Sequence, residues 1–328
     1  MSDAFLLSTA SMGTVVTIHI VGGAASSDRA AHHRAAERAL GWFREVERVC
    51  SRFEPTSEVS QLSSRAGEAV PASPMLFAAT HFALAVAEET GGAFDPTLGS
   101  LLEAAGFNHE HRSGWPVRIA PATNGAASFR DIELDADAHT ITLVRPLLLD
   151  LGAVAKGLAI DMAAKELDDN GYENFAVDAG GDLYFAGNNA AGEPWSVGLR
   201  HPRREADIIE EFRVSNSAVC TSGDYERRAV GGGDNTAIEH HIVDPRTGTS
   251  AKRCASVTTL APSAMVADAL GTAAFVLGPI DGLALLERHG LDAVIITPAL
   301  ERTATAGVPA AGGVYRGESP TTGRMSAG

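Results

Sequence analysis

Asp268 and Thr272 stand four residues apart in Ser-Ala-Met-Val-Ala-Asp-Ala-Leu-Gly-Thr, a stretch that reads as a helix opened by Ser263. At that spacing both side-chain oxygens face the same way, about one turn apart. Upstream, His240-His-Ile-Val-Asp-Pro-Arg-Thr-Gly places an imidazole beside a turn punctuated by Pro and Gly. Two hard oxygen ligands near a possible base suit a magnesium ion holding a phosphate. Asp and Thr also meet at this spacing on many helices that bind nothing, so the surrounding blocks must decide.

Three further blocks carry possible chemistry. Asp150-Leu-Gly-Ala-Val-Ala-Lys-Gly puts an acid at the end of an apolar strand, then a Gly turn, then a helix containing Lys156. Backbone amides and a lysine there could receive a pyrophosphate, with the Ala153 carbonyl available as a hard metal ligand, although an ordinary strand-to-helix turn reads the same way. Gly91-Gly-Ala-Phe-Asp-Pro-Thr-Leu-Gly fits a helix C-cap followed by an Asp-Pro turn, and its Phe94 and Asp95 could offer an aromatic face and an acceptor to a heterocycle. Gly180-Gly-Asp182 lacks the GxGxxG spacing and is followed by another strand, which makes it a tight hairpin and excludes a Rossmann site. No GxSxG elbow surrounds Ser222 in Thr221-Ser-Gly-Asp-Tyr, and no triad is legible. His240 and His241, read as strand neighbours, face opposite ways, so at most one addresses a given site.

The elements that must position these groups follow from periodicity. Val16, Ile18 and Ile20 alternate as in a half-buried strand from Met12 to Ile20, and Leu40, Phe43, Val46 and Cys50 recur at helical spacing from Arg29 to Cys50. Ser73 as cap, Pro74 in the first turn and Gly91 as stop announce a second helix. Residues 108–128 read as a loop or insertion, and Ile132, Leu134 and Ile141 to Val144 flank a hairpin. A helix spans about Ala153 to Leu167. Strands follow at Phe175–Val177, Leu183–Phe185, Trp195–Leu199, Ile208–Val214 and Ser217–Thr221, with a return strand at His240–Val243 after a turn at Gly231. Helices from Ser263 to Leu277 and from Asp281, then a strand at Ala293–Thr297, complete the order. Several consecutive strands before the next helix favour an α+β fold over a doubly wound sheet. No composition break divides the chain, which reads as one domain over residues 1–300 with a loose tail at 301–328.

The 328 residues carry a formal charge of −15, which opposes nucleic acid and anionic membranes alike. A phosphate ligand would then need a cation, a helix N-terminus or a placed lysine. The 3 cysteines, Cys50, Cys220 and Cys254, lack CxxC spacing and read as reduced, packed thiols. The N-terminus shows no basic leader and no stretch approaches a membrane span, so a cytoplasmic protein without membrane insertion is expected.

Taken in order, Ser-Met12-Gly-Thr, Cys-Ser-Arg-Phe53-Glu-Pro-Thr-Ser-Glu, Gly-Gly-Ala-Phe-Asp95-Pro-Thr, Asp150-Leu-Gly-Ala-Val-Ala-Lys156-Gly, Gly180-Gly-Asp, Thr221-Ser-Gly-Asp-Tyr, His241-Ile-Val-Asp-Pro-Arg-Thr-Gly and Ala267-Asp-Ala-Leu-Gly-Thr272 resemble the FAD:protein FMN transferases, the ApbE-type proteins. The resemblance spans roughly Met12 to Thr297. It implies a T-fold-like architecture of two interleaved subdomains with FAD and Mg²⁺ in the cleft between them. It also implies an enzyme that splits FAD, attaches FMN by a phosphoester to a Thr or Ser of an acceptor flavoprotein, and releases AMP. Carried over by motif, Ala153, Asp268 and Thr272 match metal ligands. Met12, Phe53, Ala93, Phe94, Asp95, Asp150, Lys156 and Ile242 match positions that contact FAD, and His241 matches the general base. Phe53 stands where the family often has Tyr, Ser63 where Asn is usual, and Asp178 where Asn is frequent. Two rival readings are an FAD pyrophosphatase, in which water replaces the protein hydroxyl, and a flavin carrier without turnover. A full ligand set beside His241 argues against the carrier, since simple binding needs no base.

Overall fold

The computed structural model describes residues 4–22, 29–109, 116, 117, 119, 127–226, 239–309 and 313–316. Strands β1 (Ala4–Ser11) and β2 (Thr14–Val21) pair across the two-residue turn Met12-Gly13. Both turn residues have positive φ, 51° and 74°, the geometry whose twist suits a two-residue hairpin. Met12 lacks glycine's freedom and is tied in place. Its N–H and the Ser11 hydroxyl each donate to the Glu47 carboxylate at 3.1 Å.

Glu47 lies on α1 (Arg29–Cys50), whose stripe of Ala36, Ala39, Phe43, Val46 and Cys50 is buried. After α2 (Glu58–Ser63) and β3 (Ala69–Pro71) comes α3 (Pro74–Glu89), opened by Ser73, whose Oγ accepts the Leu76 N–H at 3.2 Å. A short α4 (Gly99–Ala104) follows. Then β4 (Ile132–Asp135) and β5 (Thr140–Leu143) form the expected hairpin, and β5 also pairs with β3. Most of the loop read at 108–128 lies outside the described residues.

Helix α5 (Gly152–Asp169) leads into β6 (Phe175–Ala179), β7 (Asp182–Ala186), β8 (Trp195–Arg200), β9 (Ile208–Ser215) and β10 (Ser217–Gly223). Next come β11 (Val243–Asp244), β12 (Thr249–Ser250) and β13 (Ser256–Ala261), then helices α6 (Ala264–Leu277) and α7 (Pro279–Arg288), and finally β14 (Asp292–Ile296), β15 (Arg302–Ala304) and β16 (Val314–Arg316). The main sheet is antiparallel throughout, in the order β1-β2-β6-β7-β10-β13-β14-β15. Helices beside an antiparallel sheet make this an α+β protein, as the run of strands implies.

Alternation along the strands builds two cores. Val16, Ile18 and Ile20, with Phe175, Val177, Ala293 and Ile295, join α1, α5 and α6 on one face. Ala176, Phe185, Val219, Leu260, Val294 and Ile296 point the other way, against Trp195, Val197, Leu199, Phe212 and Val214 of the small sheet β16-β9-β8.

Two expectations need correction. The return strand at His240–Val243 is confined to Val243–Asp244 paired with Thr249–Ser250, and the turn read at Gly231 lies outside the described residues. His240 is held instead by the Ser250 hydroxyl and the Ala251 carbonyl, and Ile242 donates its N–H to His240 Nδ1 and accepts the Ala251 N–H. Nor is the tail beyond Leu300 loose where it is described. β15 pairs with β14, and β16 runs parallel to β9, because Ala304, Val308 and Tyr315 supply apolar cover to the second core. Arg302 adds a two-pronged bond to Glu210, 2.7 Å on each arm. Low-hydrophobicity composition hid this, since three well-placed apolar side chains suffice. Ending the chain at Leu300 is therefore expected to lower the thermal midpoint by roughly 5 °C or more. A calorimetric midpoint equal to wild type would show the two strands to be dispensable.

Candidate active site

Segments far apart in sequence, from Gly13 to Val276, converge around a cavity of about 560 Å³. Two hairpin turns form its floor. Gly180-Gly181, with φ of 68° and 96°, turns β6 into β7, and a Cβ on Gly180 would overlap the Thr14 side chain of the neighbouring turn. Only glycine permits that contact together with that φ. The Gly-Gly-Asp block is thus the tight hairpin its sequence suggests, and it also delivers Asp182 to the cavity wall.

Helices α5 and α6 supply the opposite wall, and a close crossing sets their spacing. A Cβ on Gly157 would overlap the backbone of Ala264 and Met265. One turn further on, the Asp161 carboxylate accepts the Ser263 hydroxyl at 2.6 Å and the Ala264 and Met265 N–H groups at 2.7 and 3.0 Å. Burial pushes the Asp161 carboxyl up and these hydrogen bonds pull it down. The acid binds the positive end of α6 to α5 and so fixes Asp268 and Thr272 relative to Ala153 and Lys156.

The cavity wall contains Phe53, Ala93, Phe94, Asp95, Asp150, Ala153, Lys156, His241, Ile242, Asp268 and Thr272. Met12 borders an adjoining cavity of about 680 Å³, which shares Gly13, Thr14, Arg52, Phe53, Asp150, Gly152 and Lys156 with the first. Every residue matched by motif to the family's metal, FAD and base positions therefore lines one of these two cavities, which share part of their walls. Their surroundings differ from what the sequence suggested. Asp95 accepts the Thr97 N–H and hydroxyl at 2.9 and 2.7 Å and the Phe129 N–H at 3.1 Å, which binds its own turn together. Burial raises its carboxyl above the ordinary range against those bonds. Asp150 accepts Arg52 Nε at 2.7 Å and the Gly152 N–H at 2.7 Å, and so anchors the start of α5.

Sequence reasoning missed several groups. Arg52 is 7% exposed, donates to Asp150 and to the Phe107 carbonyl at 2.7 Å, and lays its guanidinium 4.1 Å from the centre of the Phe53 ring. It lay in view beside Phe53, but nothing local pointed to its partner 98 residues away. Asp182 forms an ion pair with Lys156. Ser222 Oγ stands 3.2 Å from Thr272 Oγ1, and Thr221 Oγ1 is 2.9 Å from Thr258 Oγ1. His109, whose Nδ1–H donates to the Gly106 carbonyl at 3.1 Å, also borders the cavity.

The two neighbouring histidines are separated by a bend. The His240 ring is buried, with Nε2–H donating to the Ala251 carbonyl at 3.0 Å and Nδ1 accepting the Ile242 N–H at 3.3 Å. His241 faces the cavity. All three cysteines are free and buried, and burial pushes Cys50 and Cys254 up to about 12, so they stay thiols.

Charge on the wall is decisive for what can enter. Among the described residues that line it, the carboxylates are Asp95, Asp150, Asp182, Glu226 and Asp268, against the cations Arg52 and Lys156. Both cations are committed, to Asp150 and to Asp182. Asp268 is only 9% exposed, with Thr272 one turn along on α6, and Ala153 borders the same cavity. Among the described residues, no three or more His, Cys, Asp or Glu side chains group to hold a metal. One carboxylate, one hydroxyl and a backbone carbonyl are nonetheless a hard-oxygen set of the kind that holds Mg²⁺ together with substrate phosphates. The residues present fit such an ion.

An α+β scaffold thus carries an acidic, oxygen-lined cavity bounded by glycine turns and the start of a helix. The chain belongs to the ApbE family, whose model matches residues 12–295. It is 33% identical over 297 residues to the FAD:protein FMN transferase of Treponema pallidum, covering 84% of this chain and 80% of that protein. To the FAD:protein FMN transferase of Vibrio cholerae it is 30% identical over 295 residues, covering 88% and 86%. Among solved structures, the ApbE protein of Thermotoga maritima matches with a TM-score of 0.78 at 30% identity, over 93% of this chain and 97% of that one. The flavin transferase ApbE from Vibrio cholerae gives 0.78 at 26% identity, over 93% and 98%. Among the described residues, no helix is long and apolar enough to cross a membrane.

Proposed function

We propose that this protein is a Mg²⁺-dependent FAD:protein FMN transferase, which splits FAD and attaches FMN through a phosphoester to a Thr or Ser of an acceptor flavoprotein. The observation that carries the metal dependence is the cavity's charge: among the described lining residues the carboxylates outnumber the cations and both of those cations are already ion-paired, which favours receiving a dianionic pyrophosphate together with a cation. Asp268, Thr272 and the Ala153 carbonyl would hold that ion. When bound, it would neutralise the phosphate oxygens as AMP departs.

The chain's own residues supply the rest. The first turn of α5 presents the positive end of its helix dipole to the pyrophosphate, and Lys156 adds an ammonium. Phe53, in the shared wall of the two cavities, offers a stacking face, with Met12, Ala93, Phe94, Asp95, Asp150 and Ile242 shaping the remaining walls. His241 takes the proton of the acceptor hydroxyl. The hydroxyl oxygen then bonds to the FMN-side phosphorus, and the bond from that phosphorus to the oxygen shared with AMP breaks, releasing AMP. General-base help of this kind is worth ~10²–10⁴-fold.

The same reading treats residues 1–300, extended by β15 and β16, as one domain of two subdomains about this cleft. The three buried free thiols fit a reducing compartment, and we place the acceptor in the cytoplasm. Mass spectrometry of candidate flavoproteins after incubation with this protein, FAD and Mg²⁺ tests the activity. A mass gain equal to an FMN phosphoester on Thr or Ser is expected. AMP release without a mass gain would instead establish a pyrophosphatase. FAD should also bind at least about tenfold better than FMN when Mg²⁺ is present, since FMN lacks the second phosphate. Equal affinities in calorimetric titrations would leave the carrier reading standing.

A further inference from the structure

Asp182 is a charged group buried beside the site, and the reaction as derived gives it no role. It is 3% exposed, sits at the first position of β7 just after the Gly180-Gly181 turn, and borders the cavity. One oxygen accepts the Thr221 N–H at 3.1 Å and the carboxylate pairs with the Lys156 ammonium. The acid is thus fixed by two strands, while lysine is a long side chain with much rotamer freedom of its own. A carboxylate this deep also adds negative charge where a pyrophosphate must come, which opposes ligand binding unless it serves some other end.

We propose that Asp182 is the positioning residue for Lys156, holding its ammonium at the cavity wall before FAD arrives. It does so at a cost in metal-free affinity, because its own charge repels the dinucleotide. The inference rests on the flavin-transfer reading of the cavity. The turn geometry supports it: Gly180 packs against Thr14 with no room for a Cβ, so the carboxylate's location is set by the sheet rather than by a movable loop. Thr221 continues the link, since its neighbour Ser222 lies 3.2 Å from Thr272 on α6. Lys156, through Asp182, and Thr272, one of the proposed metal ligands, are thereby tied to a common strand, β10.

The experiment compares wild type, Asp182→Asn, Lys156→Met and the double variant by two measurements. FAD affinity is measured with the metal chelated, and AMP release at saturating FAD and Mg²⁺ with an acceptor flavoprotein that wild type labels. Asp182→Asn should tighten metal-free FAD binding by about tenfold, because a like charge near the pyrophosphate is gone. It should also lower kcat by on the order of 10- to 100-fold, because the ammonium is no longer held in place. A residue that merely stabilised the fold would not change these two quantities in opposite directions. The double variant should turn over no more slowly than Lys156→Met alone, since Asp182 acts through the lysine. Removing both charges of a buried pair together is well tolerated, so this comparison stands even if Asp182→Asn fails to fold. Unchanged kcat in Asp182→Asn, or a double variant more than about threefold slower than Lys156→Met, would overturn the proposal. Failure of wild type to label any acceptor or release AMP would instead defeat the transfer reading, while the metal-free affinities would still report on the charge of Asp182.

Discussion

Asp268→Ala should abolish AMP release from FAD, by at least ~10³-fold, while thermal unfolding stays within a few degrees of wild type. Asp268 is an acid on the inner face of α6, 9% exposed, in a wall that already carries Asp95, Asp150, Asp182 and Glu226. Deleting it removes repulsion among like charges and leaves the Gly157 crossing and the Asp161 cap of α6 untouched. The fold has little reason to fail. Catalysis does, because Thr272 and a backbone carbonyl are neutral and cannot replace a carboxylate in holding a divalent cation against an acidic wall. Asp268→Asn keeps the shape and one oxygen, so partial activity at high Mg²⁺ is expected there. AMP release and calorimetric unfolding should be measured side by side across a Mg²⁺ titration. Full activity of the alanine variant at ordinary Mg²⁺ would show that Asp268 holds no cation.

Much of this site was legible because its pieces are local. Asp268 and Thr272 share one helix, Lys156 and Ala153 share another, and each pair could be placed on a face by spacing alone. The boundaries of α1 and the strand series from β6 to β10 followed from apolar period and turn residues in the same way. What stayed hidden is what joins distant segments. Arg52 meets Asp150 across 98 residues, Asp182 meets Thr221 across 39, and Asp161 meets the start of α6 across 102. Such partners are chosen by the antiparallel order of the main sheet and by the α5 crossing, and no window of sequence contains either. The N-terminal strand β1 escaped notice for a different reason. It is an edge strand with Leu6 59% exposed, so its alternation is weak.

His241→Ala should slow single-turnover transfer by ~10²–10⁴-fold with FAD affinity nearly unchanged, because a base acts on the acceptor's proton and not on the bound dinucleotide. The structure assigns its neighbour a different part. Both ring nitrogens of His240 are engaged, Nε2–H with the Ala251 carbonyl and Nδ1 with the Ile242 N–H, while its backbone N–H donates to Ser250 Oγ at 3.0 Å. Those bonds fix the neutral Nε2–H tautomer and leave the ring no way to take a substrate proton without breaking its hold on Ile242. His240→Gln should accordingly lower the thermal midpoint by several degrees, with a smaller loss of rate than His241→Ala. Asp244 is no substitute base. Its carboxylate holds Arg246 through both oxygens at 2.8 and 2.7 Å, and that hydrogen-bonded guanidinium keeps it below the usual carboxylate range. A carboxylate so stabilised is a weak base. Single-turnover transfer at saturating FAD, set beside unfolding curves for both variants, separates the roles. An inactive but stable His240→Gln with a fully active His241→Ala would move the base by one residue. Normal rates in both would mean that no histidine of this segment takes the proton, which would turn attention to His109 on the same cavity wall.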